Sequence, residues 1–159
     1  VDVVSKINTG AKYDSKVFQK SVGLNGVGTK AVNALSHYFK VISYREGKMR
    51  RAEFSKGVLT AESREEKTTE PNGTLVHFIP DDTIFTHFRF KTEFIETQLF
   101  NYCYLNAGLV IVFNGKKYVS KNGLLDLLTR RTNADELRYP IIHLRSDDIE
   151  LALSHNNDY

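Results

Sequence analysis

The chain of 159 residues contains a single cysteine, Cys103, which excludes an internal disulfide framework. One thiol suits a reducing compartment, so a cytoplasmic location is expected. No apolar run approaches the ~20 residues that a bilayer span requires, and no signal peptide opens the chain, so no membrane partner is expected. A strong excess of one charge is missing as well, since the net charge is only +3. That is too mild to argue for nucleic acid by itself, because DNA-binding domains concentrate a stronger basic face. His37, His77, His87, His143 and His155 have no metal-ligand spacing, and Cys103 falls on an apolar helical face and reads as core. No Ser/His/Asp or paired-carboxylate arrangement stands out, and neither does an internal repeat or a low-complexity tract.

What is present is the composition of a soluble globular protein: 41% hydrophobic, 26% charged and 11% aromatic. This length suits one compact core, with room for a piece of a second domain. The opening VDVVSKIN has no initiator Met, and Val1, Val4 and Ile7 already keep helical spacing without a capping residue before them. The chain is therefore expected to be a fragment of a longer protein, although proteolytic maturation would leave the same ends.

Residues 1–8 read as the last turns of a helix, followed by a polar loop to about residue 21. After a glycine cluster, Ala31, Val32, Ala34 and Leu35 form an apolar helical face that closes at Ser36 and His37. FKVISYREGKMRRAEF predicts two strands about a turn at Glu46, Gly47 and Lys48. Residues 60–72 are a polar run, and TLVHFI is a strand stopped by Pro80 and Asp81. Residues 90–105 predict a helix with Phe94, Ile95, Leu99, Tyr102 and Cys103 on one face. LVIVFNGKKYVS predicts a hairpin about Asn114 and Gly115, the pair best suited to a type I′ turn. A short helix at 123–131 and two strands, IIHLRS and IELALSH, complete the chain. Helices interleaved with hairpin-joined strands predict an α+β fold, a two-layer sandwich with helices on a sheet.

The glycine cluster carries the functional question. VGLNGVGTKAVNAL nearly spells a P-loop, but Thr29 and Lys30 stand where that motif needs Lys and then a hydroxyl residue. Its lead-in, KVFQKS, is also no buried strand. GVGTKA fits a dinucleotide loop, with Glu46 standing where a ribose acid is expected. That loop too must follow a strand, and it must lead to a crossover helix where this chain has a hairpin. A purely structural glycine turn is the plain alternative, since glycine permits positive φ and close backbone approach. In the remaining reading, amides of this loop face an anion.

GLNGVGTKAVNALS resembles the glycine box of the GHKL (Bergerat-fold) ATPases, in the form carried by the B subunits of the bacterial type IIA topoisomerases, DNA gyrase and topoisomerase IV. Those families read G-G-L-H-G-V-G and then V-V-N-A-L-S; eukaryotic type II enzymes carry G-x-N-G-x-G-x-K. Asn25 and Lys30 match the eukaryotic form, while Leu24, Val27 and Val32 to Ser36 match the bacterial one. INTGAKYD, SYREGK, NGTLVHFIPD and FNYCYLNAGLVIVF resemble further family blocks, so the likeness spans nearly the whole chain. Val22, Asn25 and Phe18 depart from the bacterial pattern, where Gly, His and Tyr stand, and none of these removes the amide cradle.

The resemblance implies a lid over ATP phosphates. Gly23, Leu24, Asn25, Gly26, Val27, Gly28 and Thr29 would supply its backbone, and Gly26 and Gly28 would allow close approach. Lys30 would place a charge near the phosphates; otherwise it is a solvated helix lysine. Lys12 matches a lead-in lysine near the phosphates, against a plain loop charge. Thr74 matches a threonine at the adenine end, against a strand threonine. Arg45 matches an arginine at the pocket mouth, against an unremarkable surface residue. The family's general-base Glu, its Mg²⁺-binding Asn and its D-x-G-x-G adenine motif precede the box, and none occurs in residues 1–21.

The expected domains are therefore 1–139, the C-terminal half of a GHKL ATPase domain, and 140–159, the first strands of a transducer domain. The implied cofactors are ATP and Mg²⁺. The implied partners are DNA, a topoisomerase A subunit and a second B subunit on ATP binding, with the fragment itself catalytically incomplete. Topoisomerase IV is favoured over gyrase. The alternatives are an NAD(P)-binding dehydrogenase domain, built on GVGTKA and Glu46, and a non-catalytic interaction module on the GHKL scaffold.

Overall fold

The computed structural model describes residues 1–7, 9 and 26–157. The chain divides into two compact units, Val1–Arg89 and Phe90–Tyr159.

In the first unit, helices α1 (Asp2–Ser5) and α2 (Gly28–Ala34) accompany a sheet of β1 (Ser36–Arg45), β2 (Lys48–Ser55), β3 (Val58–Glu62), β4 (Glu66–Lys67) and β5 (Gly73–Pro80). The sheet order is β3-β2-β1-β5, with β4 also pairing β2, and every pairing is antiparallel. β1 and β2 turn at Glu46 and Gly47, with φ of 53° and 74°. Two positive φ values at a two-residue turn match the twist of the strands it joins. On the sheet face bearing the core, Phe39 and Phe54 are register partners and meet edge to face at 6.0 Å. Ala52 lies beside them, Val41 packs against the cluster, and Val4 brings α1 onto it.

Helix α2 turns a different face inward from the one its apolar residues suggest. Lys30, Asn33 and Ser36 are buried, while Ala31, Val32, Ala34 and Leu35 are exposed. The helix ends at Ala34, and Ser36 already begins β1. Its rotation is fixed from its C-terminal end. The Asp81 amide donates to the Leu35 carbonyl at 3.0 Å and the Lys56 amide to the Ser36 carbonyl at 2.7 Å. Bonds at that end outweigh the modest burial that Val32 and Leu35 would gain over so short a helix. β3 and β4 fall in and beside the polar run of residues 60–72, and every residue of both strands is exposed.

In the second unit, α3 (Thr92–Leu105) and α4 (Leu124–Arg131) accompany two hairpins, β6 (Val110–Phe113) with β7 (Lys116–Val119), and β8 (Ile142–Arg145) with β9 (Glu150–Leu153). α3 packs on β6 and β7, and α4 on α3 and β9. Asn114 and Gly115 take φ of 49° and 79°, the expected type I′ geometry. The inward residues of α3 are Cys103 and Tyr104, whereas Phe94 and Tyr102 are exposed. Buried Tyr118 meets Phe100 edge to face at 4.9 Å and donates a very short hydrogen bond to Glu96, which Lys116 also holds at 3.1 Å. Glu150 of β9 accepts the Leu124 amide at 3.0 Å and pairs with His143 Nε2 at 2.9 Å, which ties α4 to the β8–β9 hairpin. Those two partners hold its carboxyl below the usual range, His143 most strongly.

Candidate nucleotide site

Two regions of the first unit carry the residues singled out in the sequence. At the glycine box, Gly26 has φ +57°, a conformation that an L side chain strains to adopt. A Cβ at Gly28 would meet nothing within 4 Å, so the backbone there is open to close approach. Val27 and Thr29 are exposed. Lys30 is not the solvated helix lysine that its position allows, because it is only 7% exposed. Its ammonium folds back to donate to the Gly26 carbonyl at 2.5 Å, and no carboxylate of the described residues pairs with it. A buried cation held by a carbonyl, beside open glycine backbone, suits a polyanion. Lys12, Gly23, Leu24 and Asn25 lie outside the described residues.

The second region is the sheet face around Thr74. Thr74 of β5 sits opposite Ser43 of β1, and both line a groove of about 370 Å³. Val41 and Ala52 form its apolar part, Arg50 its polar side, and Val3 and Val4 of α1, with Val1 just before that helix, its wall. Arg45 is on the same sheet face as Ser43 but lines an adjoining groove of about 270 Å³, with Ser43 and Arg50 common to both. Its guanidinium is exposed and pairs with Glu46 at 3.2 Å. Lys30 does not line the Thr74 groove.

Asn33, not singled out as a ligand in the sequence, joins the two regions. It lies three residues after Lys30, on the same buried face of α2, and its Nδ2 donates to the Val4 carbonyl at 3.0 Å. An amide in the middle of an apolar helical segment was the available signal. Asp81 is another buried polar group that the sequence reading did not single out as functional. Its carboxylate, 2% exposed, pairs with Lys56 at 2.7 Å and accepts the Thr83 hydroxyl at 2.8 Å and amide at 3.1 Å. These contacts, Lys56 foremost, hold it down to about 2. Among the described residues no group of three or more His, Cys, Asp or Glu is placed to hold a metal ion.

The arrangement excludes the dinucleotide alternative. β1, which follows the GVGTKA helix, runs into an antiparallel hairpin, and no parallel strand pair occurs among the described residues. A mixed α/β region with antiparallel sheets and a glycine box opening a helix is the arrangement that the resemblance to the GHKL ATPases implies. No family model matches the chain. Individual proteins do match it. It is 50% identical over 159 residues to the B subunit of DNA topoisomerase 4 from Borreliella burgdorferi, covering 100% of this chain and 26% of that protein. It is 32% identical over 172 residues to the B subunit of DNA gyrase from Helicobacter pylori, covering 99% of this chain and 22% of that protein. Its structure matches the 43K ATPase domain of Thermus thermophilus gyrase B, solved in complex with an aminocoumarin, with a TM-score of 0.68 and 33% identity. That match covers 81% of this chain and 38% of the other. Along its whole length the chain is thus similar to the ATPase region of type IIA DNA topoisomerase B subunits, and it spans about a quarter of the length of these two relatives.

Proposed function

We propose that this segment binds ATP, closing a glycine-box lid over the triphosphate, within a B subunit that couples ATP hydrolysis to DNA strand passage. The observation that carries the reading is Lys30, a buried cation folded onto the carbonyl of Gly26, a residue that itself needs positive φ. Amides from Gly23 to Gly28 hold phosphate oxygens, and Lys12 and Lys30 balance their charge. Thr29 starts the helix behind them, and the Thr74 hydroxyl meets the adenine end in the Val41 groove. Mg²⁺ would offset phosphate charge during transfer. By family resemblance its ligand and the general base belong to a motif that precedes the glycine box.

At the scale of the whole protein, the same reading gives a cytoplasmic enzyme working with a topoisomerase A subunit and DNA, its B subunits pairing on ATP binding. Residues 1–139 complete the ATPase domain, and 140–159 begin the transducer. The names of the relatives support topoisomerase IV over gyrase only through the higher identity of the Borreliella protein.

The test is calorimetric titration of the full-length protein with ATP, adenosine and NADH. ATP binds, NADH does not, and Lys30→Ala weakens ATP by about tenfold while leaving adenosine unchanged, since only phosphates feel the ammonium. Equal losses for ATP and adenosine would show that Lys30 acts through helix stability. Absence of ATP binding would leave only a non-catalytic use of the scaffold.

A further inference from the structure

Asn33 is fully buried, at 0% exposure, yet its amide is only half used. Nδ2 donates to the Val4 carbonyl at 3.0 Å, while Oδ1 has no hydrogen-bond partner among the described residues. The amide cannot be reversed to relieve this, because Oδ1 would then face the carbonyl oxygen of Val4. A buried acceptor without a donor costs stability that an apolar side chain of similar size would not. Stability alone therefore does not account for an amide at this position.

Its place in the fold does. Asn33 shares the buried face of α2 with Lys30, one turn from the glycine box, and its partner carbonyl belongs to α1. The flanking residues Val1, Val3 and Val4 wall the groove in which Thr74 and Ser43 sit. One hydrogen bond thus links the element carrying Gly28 and Lys30 to the wall of the groove on the Thr74 side. The far end of α2 is held separately, by the Asp81 and Lys56 amides on the Leu35 and Ser36 carbonyls. Those bonds anchor the helix but have no reach to α1.

We propose that Asn33 is a positioning residue for the nucleotide site: through the Val4 carbonyl it holds α1 against α2, so that Gly28 and Lys30 stand in register with the Thr74 groove. This rests on the ATP reading above. With the link cut, α2 remains folded on β1 and β5, but Lys30 is no longer held at one place relative to the groove, and triphosphate binding loses the benefit of preorganisation.

The experiment uses the full-length protein and steady-state ATP hydrolysis, beside thermal unfolding. Asn33→Leu and Asn33→Met are made in parallel, two apolar replacements of different shape, so that one poor fit does not decide the outcome. The expected result is an unfolding temperature equal to or above wild type in at least one variant, with KM for ATP raised about tenfold. Combining that variant with Lys30→Ala gives a loss well short of the product of the two, about twentyfold and not a hundredfold, because Lys30 is already misplaced. Failure of both variants to fold, a lowered unfolding temperature with unchanged KM, or a fully multiplicative double variant each overturns the proposal. Wild-type protein that neither binds nor hydrolyses ATP overturns instead the reading on which it rests.

Discussion

Gly26 and Asp81 show how single residues set this site. Gly26 holds φ +57° at the point where Lys30 returns its ammonium to the backbone. A β-branched side chain is strongly disfavoured there, and on the proposed ATP reading its bulk would stand where phosphate approaches. Gly26→Val in the full-length protein is expected to abolish ATP binding, by calorimetry, with adenosine affected far less; wild-type ATP affinity would sink the lid assignment. Asp81 contributes through charge. Its folded-state carboxyl is held down to about 2 by Lys56 and Thr83, below the ordinary value of 3.8. A depressed carboxyl stabilises the fold above its unfolded value, and that stability is lost as pH falls through the folded one. Urea midpoints of the wild type should therefore fall between about pH 4 and pH 2 more steeply than those of Asp81→Asn. The variant itself should unfold several degrees earlier at neutral pH, since Lys56 loses its partner at the turn that anchors α2.

At the scale of elements, turns and caps decide where the segments stop, and two glycines separate backbone strain from lost contacts. Gly115 sits at φ +79° in the β6–β7 turn, where a Cβ would meet nothing within 4 Å. Gly115→Ala should then cost about 1–2 kcal/mol, the price of a left-handed residue alone. Gly123, at φ +56° before α4, would place its Cβ 2.6 Å from Glu150 Oε1. That oxygen accepts the Leu124 amide and pairs with His143, so it cannot move without losing both contacts. Gly123→Ala should cost a further ~1–3 kcal/mol beyond the strain. Chemical unfolding of the two variants side by side checks this, and equal costs would mean that Glu150 moves aside freely. The Glu46–Gly47 and Asn114–Gly115 turns were legible in the sequence because each is a local device with its own chemistry. β3 was not. Val58 to Glu62 form an edge strand with every residue exposed, so no buried face imposes alternation on it.

For the whole molecule, the segment holds the helix that follows the glycine box and a sheet groove, while the resemblance assigns hydrolysis to groups elsewhere in the family's sequence. A general base is typically worth ~10²–10⁴-fold, and none of the box residues supplies one. Residues 1–159 alone are therefore expected to release no phosphate from Mg²⁺·ATP above background in a coupled assay. Turnover would place the base within this chain, with Asp14 or Glu46 the first carboxylates to substitute.

The sequence by itself carried the family resemblance, through motifs spaced along nearly the whole chain, and with it the α+β class and most strands and turns. These depend on local chemistry: a turn that needs positive φ, a β-branched run, a glycine cluster opening a helix. Only the tertiary structure decided which face of α2 is buried. Periodicity assigned Val32 and Leu35 to the core, but amides of Asp81 and Lys56, distant in sequence, rotate the helix so that Lys30 and Asn33 turn inward. The same holds for α3, whose Phe94 lies outside beneath the Lys91 ammonium at 5.3 Å, while Tyr104 stacks on Phe100 within. Burial of a helix face is settled by what the rest of the fold brings against it, and a single helix's sequence does not contain that partner.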